Sequence, residues 1–155
     1  MAINNENLFI FFGIHMLVNY NLKTSREIKL KKTYEGKRSY NCNVIDNYLF
    51  VSYFFYEMPQ EIDDNEVLEL NNCYFDIYEI DFKNLKYIFK QTIDVKHPFF
   101  IDRIKKLNDK ILIGSDDVGN IIEFNFDEKS FIVKKNVFKA HNFYITCFNK
   151  YDDNR

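Results

Sequence analysis

The sequence predicts an all-β chain, and three observations carry that expectation. The first is composition: among 155 residues there are 17 Phe and 11 Tyr, against four Gly, two Pro and no Trp. Aromatic and β-branched side chains suit a pleated, half-buried surface, and the chain holds little Ala for helices. The second is pattern. Short apolar or alternating runs recur along the chain, each closed by turn-prone polar residues, and none keeps a capped helical periodicity. The third is an internal repeat with a period near 44 residues. The length suits one domain and suffices for a core that needs no disulfide or metal staple.

The elements follow in order. Leu8–Val18 (LFIFFGIHMLV) is expected as one buried strand. It is shorter than the roughly 20 apolar residues of a membrane span. It also lacks the basic flank and small-residue cleavage site of a signal peptide. Ser25–Tyr34 alternates around Ile28 and Leu30, as a half-exposed strand does. Asn43–Ile45 and Tyr48–Tyr56 flank the turn-prone pair Asp46-Asn47. Residues 57–70 break the pattern: Glu57, Glu61, Asp63, Asp64, Glu66 and Glu69 stand there with no Lys or Arg, which reads as an acidic surface insertion. Strands resume at Cys73–Ile80, Tyr87–Ile93, Ile101–Leu107, Lys110–Gly114, Asn120–Phe126, Phe131–Phe138 and Tyr144–Phe148. Turn residues sit between them at Asn108-Asp109, Ser115–Gly119 and Asp127–Ser130, as in a β-meander.

Charge narrows the function classes. The net charge is −2, and Lys and Arg are spread along the chain rather than gathered in a tail. That balance argues against a nucleic-acid partner and against an anionic membrane surface. The one basic cluster, Lys29–Lys32 (KLKK), reads as a solvated strand face. The three cysteines, Cys42, Cys73 and Cys147, form no C-x-x-C pair, and no Asn-x-Ser/Thr sequon occurs. Both facts point to a reducing compartment, hence a cytoplasmic location. No His or Cys spacing suggests a metal, and Asp116-Asp117 reads as a turn, so no metal and no cofactor are expected.

The repeat has three registers. At an offset of 44, His97, Phe99, Ile101, Ile104 and Asp109 fall on His141, Phe143, Ile145, Phe148 and Asp153. At an offset of 46, Cys73–Asp81 falls on Gly119–Asp127, with Tyr78 over Phe124 and Ile80 over Phe126. At an offset of 63, Leu49–Ser52 falls on Leu112–Ser115. The last two offsets differ by 17 residues, about the size of the acidic insertion. A period near 44 is that of propeller blades with four strands each.

The stretch LNDKILIGSDDVGNIIEFN (Leu107–Asn125) resembles the blade pattern of the WD-repeat family. His97 and His141 stand at the blade's opening His, and Asp116 or Asp117 at its tight-turn Asp. Phe124 and Asn125 replace the usual Trp and Asp, so the repeat is degenerate. The resemblance implies propeller blades over residues 36–155, about two and a half of them, with residues 1–35 as N-terminal strands outside the repeat. A ring needs at least four blades. The chain stops at Asp152–Arg155, where the next strand is due, so an incomplete propeller with open strand edges is expected. The rival fold is a self-contained β-sandwich or small barrel of the same strands.

Within WD-repeat proteins, the order of features is similar to diphthine methyl ester hydrolases of the diphthamide pathway. Ser39–Glu57 resembles their opening blade, with Ser52-Tyr53 at a Thr-Tyr-like pair and the acidic insertion next. Ala140, His141 and Phe143 match a later Ala-His-x-Phe stretch, whose following Glu and Trp are missing here. The resemblance implies a role in modifying translation elongation factor 2, with that protein as partner. Any enzymatic activity it implies is that of a carboxylic ester hydrolase. The alternative is a WD-repeat scaffold that binds proteins without catalysis.

The residues themselves nominate no catalytic group. Gly-x-Ser-x-Gly is absent, Ser39, Ser130 and Cys147 have no motif around them, and Ser115, after Gly114, stands at a strand-to-turn position that the blade resemblance already explains. The resemblance instead gives a structural reading: His141, Ser115 and Asp116 or Asp117 as a hydrogen-bonded network pinning strands, with His97 and Gly119 at matching blade positions. Tyr53, Asp117, Phe143 and Tyr144 are the candidate binding contacts, because blade loops dock partners and aromatics anchor interfaces.

Overall fold

In the computed structural model, the residues described are 2–4, 7–12, 16–21, 26–30, 37–55, 72–84, 86–127 and 131–145. Among them lie twelve strands and no helix. The strands are β1 (Ala2–Asn4), β2 (Asn7–Phe12), β3 (Met16–Asn21), β4 (Arg26–Leu30), β5 (Lys37–Ile45) and β6 (Tyr48–Phe55). They continue as β7 (Cys73–Asp81), β8 (Lys86–Asp94), β9 (Ile101–Asn108), β10 (Ile111–Asp116), β11 (Asn120–Asp127) and β12 (Phe131–Lys139). They make three four-stranded antiparallel sheets, β1-β2-β3-β4, β5-β6-β7-β8 and β9-β10-β11-β12. Each sheet, taken alone, is an up-and-down meander of the sort that builds a propeller blade. The chain divides into two compact units, Met1–Phe100 and Ile101–Arg155.

One element differs from the sequence expectation in kind. Leu8–Val18 is not one strand: β2 and β3 pair antiparallel across it, Phe12 opposite Met16. Both arms are apolar, so the run shows no change of pattern where the chain reverses. Gly13 was the available signal. β5 starts at Lys37, well before the expected Asn43, because its polar first half completes the ladder of β6. The acidic residues 57–70, residues 128–130 and residues 146–155 (Cys147 and Phe148 among them) lie outside the described residues.

The two sheets β5–β8 and β9–β12 repeat each other strand for strand. Leu49 pairs with Tyr78, and Leu112 with Phe124, the residues that offsets 63 and 46 place in register. All four side chains are buried. The turns repeat as well: Ile80 N–H donates to Asn47 O at 2.7 Å, and Phe126 N–H to Lys110 O at 2.7 Å. Asp46 sits in its turn with φ 53°, a conformation Asp tolerates. Both outer ladders also bulge at the matching place, where one extra residue, Lys90 in β8 and Lys135 in β12, goes unpaired.

Alternation sorts each sheet into two faces. On one face of β5–β8, Cys42, Leu49, Val51, Tyr53, Tyr78 and Ile80 form a buried cluster. The opposite face buries Phe50, Ser52, Phe75 and Ile77, with Phe50 and Phe75 meeting edge to face at 6.4 Å. In β9–β12, Ile104, Leu112, Ile122, Phe124, Phe126 and Ile132 are buried together with Gly114. Gly114 has no room for a side chain, since a Cβ would lie 2.9 Å from the Phe124 ring and 3.2 Å from Arg103 O. Gly114→Ala should therefore lower unfolding stability by about 1–3 kcal/mol through overpacking. Urea denaturation measures it, with exposed Asn125→Ala expected to stay within about 0.5 kcal/mol of the parent.

Candidate functional site

The second unit gathers most of the sequence-nominated residues at one end of its sheet, around the β10–β11 turn. Asp116 builds that turn. Its Oδ1 accepts the N–H groups of Val118 (3.1 Å) and Asn120 (2.7 Å), and its Oδ2 accepts Asn120 Nδ2 at 2.6 Å. Asp116 is fully buried and Asp117 exposed, so of the two candidates Asp116 is the turn-former. Gly119 follows with φ 91°, which an L side chain rarely adopts. A Cβ there would stand 2.4 Å from Phe143 O and 2.5 Å from His141 O.

That close approach is how residues 140–145 are held. Gly119 O accepts the N–H of Ala140 (3.2 Å) and of His141 (3.0 Å), and Lys139 Nζ reaches Val118 O at 2.5 Å. His141 Nδ1 then accepts the Phe143 N–H at 3.1 Å. Tyr144 OH donates to Asp102 Oδ2, and Arg103 Nε lies 3.4 Å from the same oxygen. A bulge in β9 sets up that last contact. Ser115 pairs with Arg103 and Asp116 with Ile101, so the extra residue brings Asp102 and Arg103 side by side. Tyr144 and Ile145 are not in a strand, and the rest of the strand expected over Tyr144–Phe148 lies outside the described residues. Phe143 is left 74% exposed and Tyr144 44%, beside a shallow depression of about 340 Å³ lined by Lys139–Phe143.

The pinning network expected of His141, Ser115 and Asp116 is not formed. His141 is exposed and accepts from Phe143, Asp116 serves its own turn, and the buried Ser115 Oγ has no hydrogen-bond partner among the described residues. Asp116 turns its oxygens to the amides of its own turn and to Asn120, and His141 sits exposed on the tethered loop, so the three are not brought together.

His97 lies in the first unit and is buried. Its carbonyl accepts the Cys73 N–H at 2.9 Å, and Cys73 O accepts the Val95 N–H at 3.0 Å. Cys73 is the counterpart of Gly119, so both sheets fasten a His-x-Phe corner to the start of their third strand. The ring pairs repeat too, His97–Phe99 at 5.8 Å and His141–Phe143 at 6.0 Å.

Tyr53, nominated as a binding contact, is instead buried at 2% exposure. It stacks on Tyr74 at 5.7 Å and donates its OH to Asp76 Oδ1 at 3.2 Å. Thr92 Oγ1 donates to the same oxygen at 2.5 Å. This buried carboxylate with two hydroxyl donors was missed in the sequence, where Asp76 and Thr92 lie 16 residues apart in unremarkable strands. Asp102 was missed likewise, because its contact with Tyr144 joins residues 42 apart at a bulge that the sequence does not announce. Burial, then the charge of Asp76, pushes the Tyr53 phenol up, while the Asp102 hydrogen bond, then burial, raises Tyr144. Burial also raises the Cys42 thiol, and neither Cys42 nor Cys73 is in a disulfide.

Phe143 and Tyr144 present an exposed aromatic surface at this end of the sheet. Ser115 is 1% exposed, with no base on its hydroxyl. Among the described residues, no three His, Cys, Asp or Glu side chains gather as a metal site, and no helix is long and apolar enough to cross a membrane. No family model matches the chain, and a search of curated proteins returns no match.

Two outcomes are expected. Gly119→Ala should lower the melting temperature and raise protease cleavage within residues 140–145, since the turn and its tether cannot both persist. At high pH an unfolded phenol ionises near about 10 and the folded phenols only above that. Their stabilisation is therefore complete below about pH 10 and is lost as pH rises through the folded values. Tyr53→Phe should flatten that alkaline loss in urea-midpoint measurements, and at pH 7 should cost about 1–2 kcal/mol, leaving Asp76 one donor short.

Proposed function

We propose that this chain is a WD-repeat-type binding module that acts in the cytoplasm and docks a protein partner through the aromatic rim of its second unit. Three four-stranded meanders, and matched ladders at the offsets read from the sequence, support the WD-type reading. The observation that carries the docking reading is Phe143. It is 74% exposed at the tip of a loop fixed by Gly119 O, His141 Nδ1 and Asp102, so it is presented at little entropic cost. The partner to test is elongation factor 2, on the resemblance to the diphthamide-pathway proteins. Ser115, the serine at this end of the sheet among the described residues, keeps its hydroxyl buried and so lends the ester hydrolase reading no support.

Binding of labelled elongation factor 2 to the full chain, measured by fluorescence anisotropy, tests the proposal. Phe143→Ala should weaken binding about tenfold or more, and Tyr144→Phe, which frees the loop from Asp102, by less. Equal affinity of parent and Phe143→Ala would remove the rim from the interface. No binding by the parent would remove this partner, and with it the diphthamide reading.

A further inference from the structure

The matched His-x-Phe corners differ in one respect that matters to a proton. His97 is 3% exposed, whereas His141 is open to solvent. His141 also holds its loop through the ring: Nδ1 accepts the Phe143 N–H at 3.1 Å. An imidazole accepts at Nδ1 only while that nitrogen carries no hydrogen, so the neutral ring keeps its proton on Nε2. The bond closes a turn from residue 141 to residue 143. It lies between the tether of Ala140 and His141 to Gly119 O and the tether of Tyr144 to Asp102. Phe143, the most exposed ring of the rim at 74%, stands on that turn.

Histidine is the side chain that ordinarily changes charge between about pH 5 and 8. When the ring does so here, a proton from solvent takes the Nδ1 lone pair that the Phe143 amide now uses. Nδ1–H then faces N–H, donor against donor, and the turn loses its closing bond. The other charged groups around the loop come from three elements. On the β10–β11 turn, Asp116 gives both oxygens to Val118 and Asn120, and Asp117 is exposed. At the end of β12, Lys139 Nζ is held by Val118 O. On β9, Asp102 takes the Tyr144 hydroxyl with Arg103 beside it. We propose that His141 is a proton-sensitive latch on the rim: neutral, it fixes Phe143 for docking, and protonated, it releases the loop tip, so that partner binding weakens as pH falls. The latch is a property of residues 141–143 alone; its consequence for binding rests on the docking reading above.

Nuclear magnetic resonance of the full chain, titrated from about pH 7.5 to about pH 5.5, reads the latch without any partner. The Phe143 amide proton should shift along the same curve as the His141 ring protons. Its protection from exchange should fall about three- to tenfold, the worth of one hydrogen bond. His141→Asn supplies a side-chain oxygen that accepts the same amide and does not titrate, so its Phe143 amide should stay protected throughout. His141→Ala should leave that amide unprotected at both ends of the range. Labelled elongation factor 2 should bind the parent about three- to tenfold more weakly at the acid end, while His141→Asn shows little change. A Phe143 amide indifferent to the His141 titration overturns the proposal. So does a His141→Asn chain that keeps the parent's response, which would pass the effect to Asp102. Absence of any binding by the parent counts against the docking reading alone, and the amide titration then decides the latch.

Discussion

Register across the central strand pair is the constraint on which both repeats depend. Side chains alternate with period two, so a slip of one residue would turn Leu112 and Phe124 out of the core and carry the rest of β10 and β11 with them. The same holds for Leu49 and Tyr78. The second sheet fixes its register at both ends of this pair. At one end the β11 amide of Phe126 closes on the turn carbonyl of Lys110. At the other, Asp116 winds the short turn that returns the chain at Asn120. The bulges in β8 and β12 fall beyond the central pair, where an extra residue disturbs the edge and leaves the core untouched.

The buried polar groups differ between repeats although the ladders do not. Asp76 sits opposite Val51, and its counterpart Ile122 sits opposite Gly114. One sheet satisfies a buried carboxylate with the hydroxyls of Tyr53 and Thr92; the other fills the same place with hydrocarbon. A buried carboxylate needs such donors, so Tyr53 and Asp76 are tied to each other as a pair. The second sheet spends its polar residues at the rim instead, on Asp102, Asp116 and Tyr144, where they hold a loop rather than a core.

Much of the strand order was legible in the sequence, because β6 to β12 alternate or run apolar between turn residues that have their own chemistry. The repeat was legible for the same reason: Tyr78 and Phe124 occupy one place in two ladders. What stayed hidden depends on relations that spacing does not encode. The reversal inside Leu8–Val18 joins two apolar arms with no polar break. The polar half of β5 is strand only because β6 needs a partner. At the rim, Phe143 and Tyr144 were nominated as contacts and Gly119 as a blade position, yet the tether through Asp102 required a bulge that no local pattern announces. His141, Ser115 and Asp116 were expected in one network, but Asp116 bonds within its own turn and His141 is exposed, relations that spacing does not encode.

The unequal connections between matched strands also mark where this chain tolerates addition. Phe55 and Cys73 bound a connection of 17 residues between β6 and β7, while three residues join β10 to β11. The central ladders, β6–β7 and β10–β11, share the pairing of their matched residues from Tyr48–Glu79 and Ile111–Asn125 to Ser52–Phe75 and Ser115–Ile121, so the longer connection leaves that register undisturbed. Loop closure entropy grows only with the logarithm of length, about 0.6 kcal/mol per doubling. The β6–β7 connection is thus a permissive position for a foreign peptide. A tag or fluorophore site placed there would report on the protein without burdening the strands that carry its fold.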